Sequence, residues 1–148
     1  MTADAALGRT VQVTLPDRWH RRERPAHGIV VAARPRTVPV SGYCPEVVVA
    51  CTPVADDLRT WREEAVAALS VQLPDFALEE ADEYLLGDHV VAYRLFAHRF
   101  GTVDVLSEQW AWLVGGLGVT LTCSVAREDY PTFCDLFEAV AGTVEVVG

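Results

Sequence analysis

Gly118-Val119-Thr120-Leu121-Thr122-Cys123-Ser124-Val125-Ala126 is the stretch that decides the fold. Val119, Leu121, Cys123 and Val125 alternate with Thr120, Thr122 and Ser124. Successive side chains of a strand point to opposite sides, so this pattern predicts a strand with one apolar and one polar face. Working back along the chain, Gly87-Asp88, Gly101 and Gly115-Gly116 separate residues 77–86, 89–98 and 103–114. Gly87-Asp88 suits a two-residue hairpin turn. Residues 77–126 therefore read as an antiparallel meander of about four strands.

A helix is expected on each side of this run. Asp56-Asp57 places acids where they complement a helix N-terminus, and Leu58, Trp61, Ala65, Ala68 and Leu69 follow as one apolar stripe. Arg59, Arg62, Glu63 and Glu64 fall off that stripe, and Leu73-Pro74-Asp75 ends the helix. The second helix starts at Asp129-Tyr130-Pro131, with proline in its first turn. Tyr130, Phe133, Cys134, Phe137, Val140 and Ala141 form its inward stripe, and Gly142 is placed as a C-terminal cap.

Toward the N-terminus, Val11–Leu15 alternates up to Pro16-Asp17 and predicts a first strand. Residues 16–28 read as a loop and Ile29–Ala33 as a short strand. Glu46–Cys51 is nearly all apolar, suggesting a strand covered on both faces. Residues 1–9 are expected to be flexible, and 143–147 to add a short final strand. There is no repeat or linker. The reading is one α+β domain over 1–148, an antiparallel sheet flanked by two main helices.

The 148 residues carry a net charge of −9, and all 12 basic residues are arginine. Lysine and asparagine are absent and Ile29 is the only isoleucine, a bias that points to a GC-rich genome. Residues 1–36 hold seven arginines against three acids, a net of +4; the remainder holds five against 18, a net of −13. An acidic body repels phosphate backbones and anionic lipid, which argues against nucleic-acid and membrane-surface partners. The one basic patch, residues 18–24, reads as a solvated loop paired with that body. No apolar run reaches the roughly 18–20 residues of a membrane helix. Met1–Thr10 has neither a basic start nor a long apolar segment. A cytoplasmic protein is expected, unless a leader has been removed.

No catalytic or metal-binding constellation emerges. Cys44, Cys51, Cys123 and Cys134 contain no Cys-x-x-Cys pair. All but Cys44, which lies in a turn and is the one expected near solvent, read as small buried hydrophobes. His89 and His98 are nine positions apart on one strand and face opposite sides, while His20 and His27 lie in the arginine-rich loop. None of the four serines sits in a Gly-x-Ser-x-Gly setting. Gly115-Gly116-Leu117-Gly118 is explained by a turn, without a phosphate-cradling role. Glu79-Glu80-Ala81-Asp82-Glu83 lacks calcium-loop spacing and reads as a solvated strand edge. No catalytic residue, cofactor or metal is assigned.

The aromatics are more informative. Trp110 and Trp112 share a strand face with Leu106 and Val114. They either pack under a helix or line a partly open apolar groove. Trp19 with Arg21 and Arg22 forms a second candidate binding group, since arginines can hold a carboxylate or phosphate bidentately.

Three segments also carry a resemblance: Thr14-Leu15-Pro16-Asp17-Arg18-Trp19, Gly42-Tyr43-Cys44-Pro45-Glu46-Val47-Val48-Val49, and Leu73-Pro74-Asp75-Phe76 followed by the meander. Their order resembles the PsbP-like superfamily, in particular its bacterial DcrB-like and LpqN-like members, from about residue 10 to 147. The resemblance implies an α/β/α sandwich and a binding or assembly role without a catalytic site. Such relatives include a photosystem accessory subunit, a Ran-binding protein, envelope lipoproteins and chaperones that escort secretion effectors. No catalytic residues carry over, because the matching positions serve corners and core.

Two functions follow. The first is a non-enzymatic protein-binding module, a cytoplasmic adaptor or chaperone linked to secretion, with a protein partner; the oligomeric state is left open, a homodimer being one option. The second is a small-molecule binder for an anionic or apolar ligand, its pocket near Trp110, Trp112 and the Arg18–Arg24 loop.

Overall fold

The computed structural model describes residues 2–22 and 28–148. The N-terminal part holds β1 (Thr2–Asp4), β2 (Thr10–Gln12), β3 (His20–Arg21), β4 (Ile29–Arg34), β5 (Glu46–Pro53) and α1 (Leu58–Gln72). There follow β6 (Ala77–Leu86), β7 (His89–Phe100), β8 (Val103–Val114), β9 (Leu117–Ala126), α2 (Tyr130–Ala141) and β10 (Glu145–Val147). A short 3-10 turn, Arg127–Asp129, leads into α2.

Seven strands form one sheet in the order β3-β4-β5-β9-β8-β7-β6, every neighbouring pair antiparallel. β1, β2 and β10 form a second, three-stranded antiparallel sheet. The meander predicted from the glycine spacing is present as β6–β9. Its last turn needs both glycines: Gly115 and Gly116 take φ of +54° and +81°, which side chains with a Cβ rarely adopt. The fold is thus α+β, with α1 and α2 on opposite faces of the main sheet.

The two faces differ sharply. Register pairs Val47 with Cys123, Val49 with Leu121, and Leu121 with Trp110, so these apolar side chains share one face. They form the core with Phe137, Val140 and Ala141 of α2, and Phe137 is fully buried. Burying such a side chain contributes about 1.5–3 kcal/mol. The opposite face is mixed: Phe96, Val105 and Ala111 are buried there beside polar groups. Ser107 and Ser124 share a hydrogen bond of 2.8 Å, and Gln109 Nε2 donates to Thr122 Oγ1 at 3.0 Å. α1 lies on this mixed face, and its only buried residue is Arg62.

Several sequence expectations need correction. The first strand of the alternating N-terminal stretch covers residues 10–12 and stops short of Leu15. Thr2–Asp4, expected to be flexible, pairs with β2, which β10 flanks on its other side. β5 is not equally covered: Val47 and Val49 are buried, whereas Val48 and Ala50 on the α1 face remain half-buried. Cys44 is half-buried, as are Cys51 and Cys134, so it is not distinguished by exposure. Gly142 ends α2 with a right-handed φ of −65°, and so makes no use of glycine's left-handed freedom. Helix α2 does start at Asp129-Tyr130-Pro131, and the Asp129 carboxylate accepts from the Ser41 hydroxyl at 2.5 Å.

Candidate functional site

α1 docks through one aromatic ring. A Cβ placed on Gly118 would lie 2.6 Å from the Trp61 ring and 2.7 Å from Val54. Glycine at 118 therefore lets the indole lie against β9, and this seats the helix. The predicted stripe is only partly inward: Leu58, Trp61, Ala65 and Leu69 are half-buried, and Ala68 is exposed. Arg62, expected off the stripe, is 3% exposed. Docking by Trp61 turns the next residue under the helix.

Between α1 and the sheet lies a cavity of about 330 Å³. Trp61, Ala65, Leu69 and Cys51 give it apolar walls, while Arg62, Gln109 and Thr120 supply polar groups. Arg62 donates through one terminal guanidinium nitrogen to Gln109 Oε1 at 2.5 Å. Its guanidinium carbon stands 4.5 Å from the Trp61 ring centroid. Its Nε is buried without a hydrogen-bond acceptor among the described residues. No carboxylate pairs with Arg62 among the described residues. Burial, and secondly the nearby Arg94 cation, lower its pKa to about 10. Arg94 also has no carboxylate partner among the described residues, its guanidinium reaching the Tyr93 and Asp82 carbonyls at 2.9 and 3.3 Å. The cleft thus offers positive charge, an unused donor and apolar walls, a combination suited to an anionic group on an apolar body.

The residues singled out in the sequence lie elsewhere. Trp110 and Trp112 share a face as expected, but they are 1% and 2% exposed and belong to the core beside Phe137. α2 covers most of the tryptophan face, and of the two tryptophans Trp110 also lines a cavity beside that helix. Trp110 keeps one polar contact, donating from its indole nitrogen to the Tyr84 hydroxyl at 2.7 Å. Trp19 is half-buried, its ring 6.4 Å from that of Phe133 in an edge-to-face arrangement. Arg21 is exposed on β3, and Arg22 pairs with Glu46 at 3.1 Å, alongside Arg34 at 2.7 Å. β3 and β8 are separated by β4, β5 and β9, which sets the described basic residues of β3 apart from the tryptophans in the sheet. Glu23, Arg24 and His27 of the basic loop lie outside the described residues.

Sequence reasoning missed Arg62 and Gln109. Gln109 sits between Glu108 and Trp110 in a strand read for its tryptophans, and Arg62 follows the tryptophan that fixes the helix. Neither position carried a motif. Among the described residues no cluster of His, Cys, Asp and Glu could hold a metal ion, and no helix is long and apolar enough to cross a membrane.

No family model and no curated protein matches the sequence. Solved structures do match. LpqN of Mycobacterium tuberculosis, described as involved in cell envelope biogenesis, superposes with a TM-score of 0.77 at 12% identity, over 95% of this chain and 84% of that one. The cyanobacterial PsbP of Synechocystis matches at 0.67 and 17% identity, over 97% of this chain and 89% of that one. A protein of unknown function from Pseudomonas aeruginosa matches at 0.66 and 14% identity, over 90% of this chain and 94% of that one. At these identities the likeness concerns the backbone, and the chain has the PsbP-like fold.

Proposed function

We propose that the protein binds a small apolar molecule with an anionic head in the cleft between α1 and the sheet, without catalysing a reaction on it. The observation that carries this reading is Arg62, a buried guanidinium with an unused donor and no carboxylate partner at an apolar cavity. Keeping an uncompensated charge under a helix costs several kcal/mol, and an anion entering the cleft offsets that cost. The small-molecule function suggested by the sequence is kept, but its pocket moves from the tryptophan face to α1.

Titration calorimetry with decanoate, kept below its micellar concentration, tests the reading. Decanoate is expected to bind, and Arg62→Met to weaken it at least about tenfold. Decyltrimethylammonium, with the opposite charge and the same chain, is expected not to compete. Failure of both decanoate and decyl phosphate to bind would sink the idea.

A protein partner is the second reading, favoured by Leu85 and Val90. They stand next to each other at the end of the β6–β7 hairpin, 70% and 49% exposed. An adaptor using this patch would lose its partner on Leu85→Ser with Val90→Ser, as read by co-purification from the native cell. Full recovery of the same partner with the double variant would argue against it. The cytoplasmic setting belongs to this reading too, and fractionation of the native cell checks it.

A further inference from the structure

On the other side of the sheet, beside α2, lies a second cavity of about 330 Å³. Its charged lining is entirely acidic: Glu80 and Asp82 from β6, Glu108 from β8 and Glu138 from α2. The cavity draws on four elements, with the register of β6, β7 and β8 setting its floor and α2 its wall. Tyr93 stands opposite both Asp82 and Trp110, so the rings and carboxylates share one face.

Glu108 is the telling residue. It is only 5% exposed, yet it lies on the apolar face of β8 between Leu106 and Trp110. Its Oε2 accepts from the Tyr93 hydroxyl at 2.5 Å, while its Oε1, also buried, has no hydrogen-bond donor among the described residues. The Tyr130 hydroxyl of α2 interacts with the same carboxylate. A buried carboxylate oxygen without a donor carries a full desolvation cost. The rings around it are already arranged: Tyr93 packs 5.3 Å from Trp110 and 6.4 Å from Tyr84, centroid to centroid. Trp110 donates to the Tyr84 hydroxyl, which leaves that hydroxyl's own proton free to turn elsewhere. Among the described residues no arginine or histidine lines the cavity to neutralise the four carboxylates.

We infer that this acidic, tyrosine-walled cavity binds a small organic cation bearing N–H donors, an alkylammonium or diammonium, with Glu108 Oε1 accepting its proton-bearing nitrogen. Carboxylates supply the charge and ring faces attract the cation's positive end. The need for an N–H distinguishes such a ligand from a quaternary ammonium, which could use the rings but leave Oε1 unsatisfied. The volume suits a chain of a few carbons, short enough for its second charge to reach Glu80, Asp82 or Glu138. This site lies across the sheet from the α1 cleft, carries the opposite charge and does not depend on the function proposed for that cleft.

Putrescine is the probe, titrated into the full chain at low ionic strength and followed by calorimetry and tryptophan fluorescence. It is expected to bind, with tetramethylammonium at least about tenfold weaker. Glu108→Gln keeps the shape and an acceptor for Tyr93, and is expected to weaken putrescine at least about tenfold. Glu80→Gln with Glu138→Gln removes exposed charges from the rim, and a smaller loss is expected in that folded background. Absence of putrescine binding, tetramethylammonium binding as tight as putrescine, or undiminished affinity in both variants would each overturn the assignment. Decanoate binding serves as the internal reference, because it reports on the other cleft and is expected to be unchanged by Glu108→Gln.

Discussion

Gly118 and Arg62 place opposite demands on α1. Gly118 lets the helix approach the sheet, because a methyl group there would overlap Trp61. Gly118→Ala is expected to cost about 1–3 kcal/mol of stability through overpacking, read as a lower urea midpoint with the slope unchanged. Arg62 instead makes that approach expensive, since its charge is buried without a carboxylate partner. Arg62→Met keeps most of the stem and removes the charge. It is expected to stabilise the unliganded protein by about 1–3 kcal/mol while abolishing decanoate binding. A variant that is less stable and still binds decanoate would show that Arg62 serves packing alone. Glu108 adds a pH signature. Burial, the largest cause, raises its pKa above the usual value of 4.5, and the carboxylates of Glu138 and Glu80 raise it further, against lowering by its tyrosine hydrogen bonds. A carboxyl with a raised folded pKa holds its proton in the folded state after the unfolded chain has lost it. Stability from this group is therefore present below the usual value and falls as pH rises through the window up to the folded one. Relative to Glu108→Gln, the unsubstituted protein should lose stability over that window, measured by urea unfolding at successive pH values. A constant difference across the acid range would refute the shift.

The two helices predict different dynamics. α2 places Phe137, Val140 and Ala141 in the core, whereas the only buried side chain of α1 is a charged one. An element with little buried apolar surface opens locally at lower free energy. Backbone amides of α1 should thus exchange with deuterium sooner than those of α2, and decanoate should slow exchange in α1 but not in α2. Equal protection of both helices without ligand would contradict this account. The same asymmetry explains what the sequence could and could not tell. β6–β9 were legible because glycine pairs and strict alternation set turns and register locally. α2 was legible because its stripe is strongly apolar. The inward face of α1 was not, because its pattern is weak and the choice is made by Trp61 meeting Gly118, 57 positions away. The acidic cavity had a signal that went unread: Glu108 interrupts the apolar face shared by Leu106, Trp110 and Trp112. A carboxylate in that position asks for a partner.

At the scale of the whole molecule, the contrast between a +4 N-terminal segment and a −13 remainder resolves into three regions. Part of the basic segment is tied down, Arg22 and Arg34 sharing Glu46. The acidic remainder is not uniform either, since Arg62 and Arg94 serve one face of the sheet and the carboxylates around Glu108 serve the other. The chain ends then close the structure. β2 is held between β1 and β10, and it carries Val11, which is fully buried, next to Val13 at 1% exposure. Val146 of β10 sits opposite Val11 and packs against the core. Removing residues 144–148 would strip β2 of one neighbour and expose these valines. Deleting a buried aliphatic contact of this size costs about 2–5 kcal/mol. The truncated chain should unfold at a lower urea concentration by that amount. It should also lose exchange protection at residues 2–4 and 10–12, while β8 and β9 keep theirs until global unfolding. Unchanged protection at β1 and β2 would mean that the small sheet does not depend on the C-terminus. Protection lost equally throughout would mean that the two sheets form one cooperative unit in which the terminal strand is a keystone.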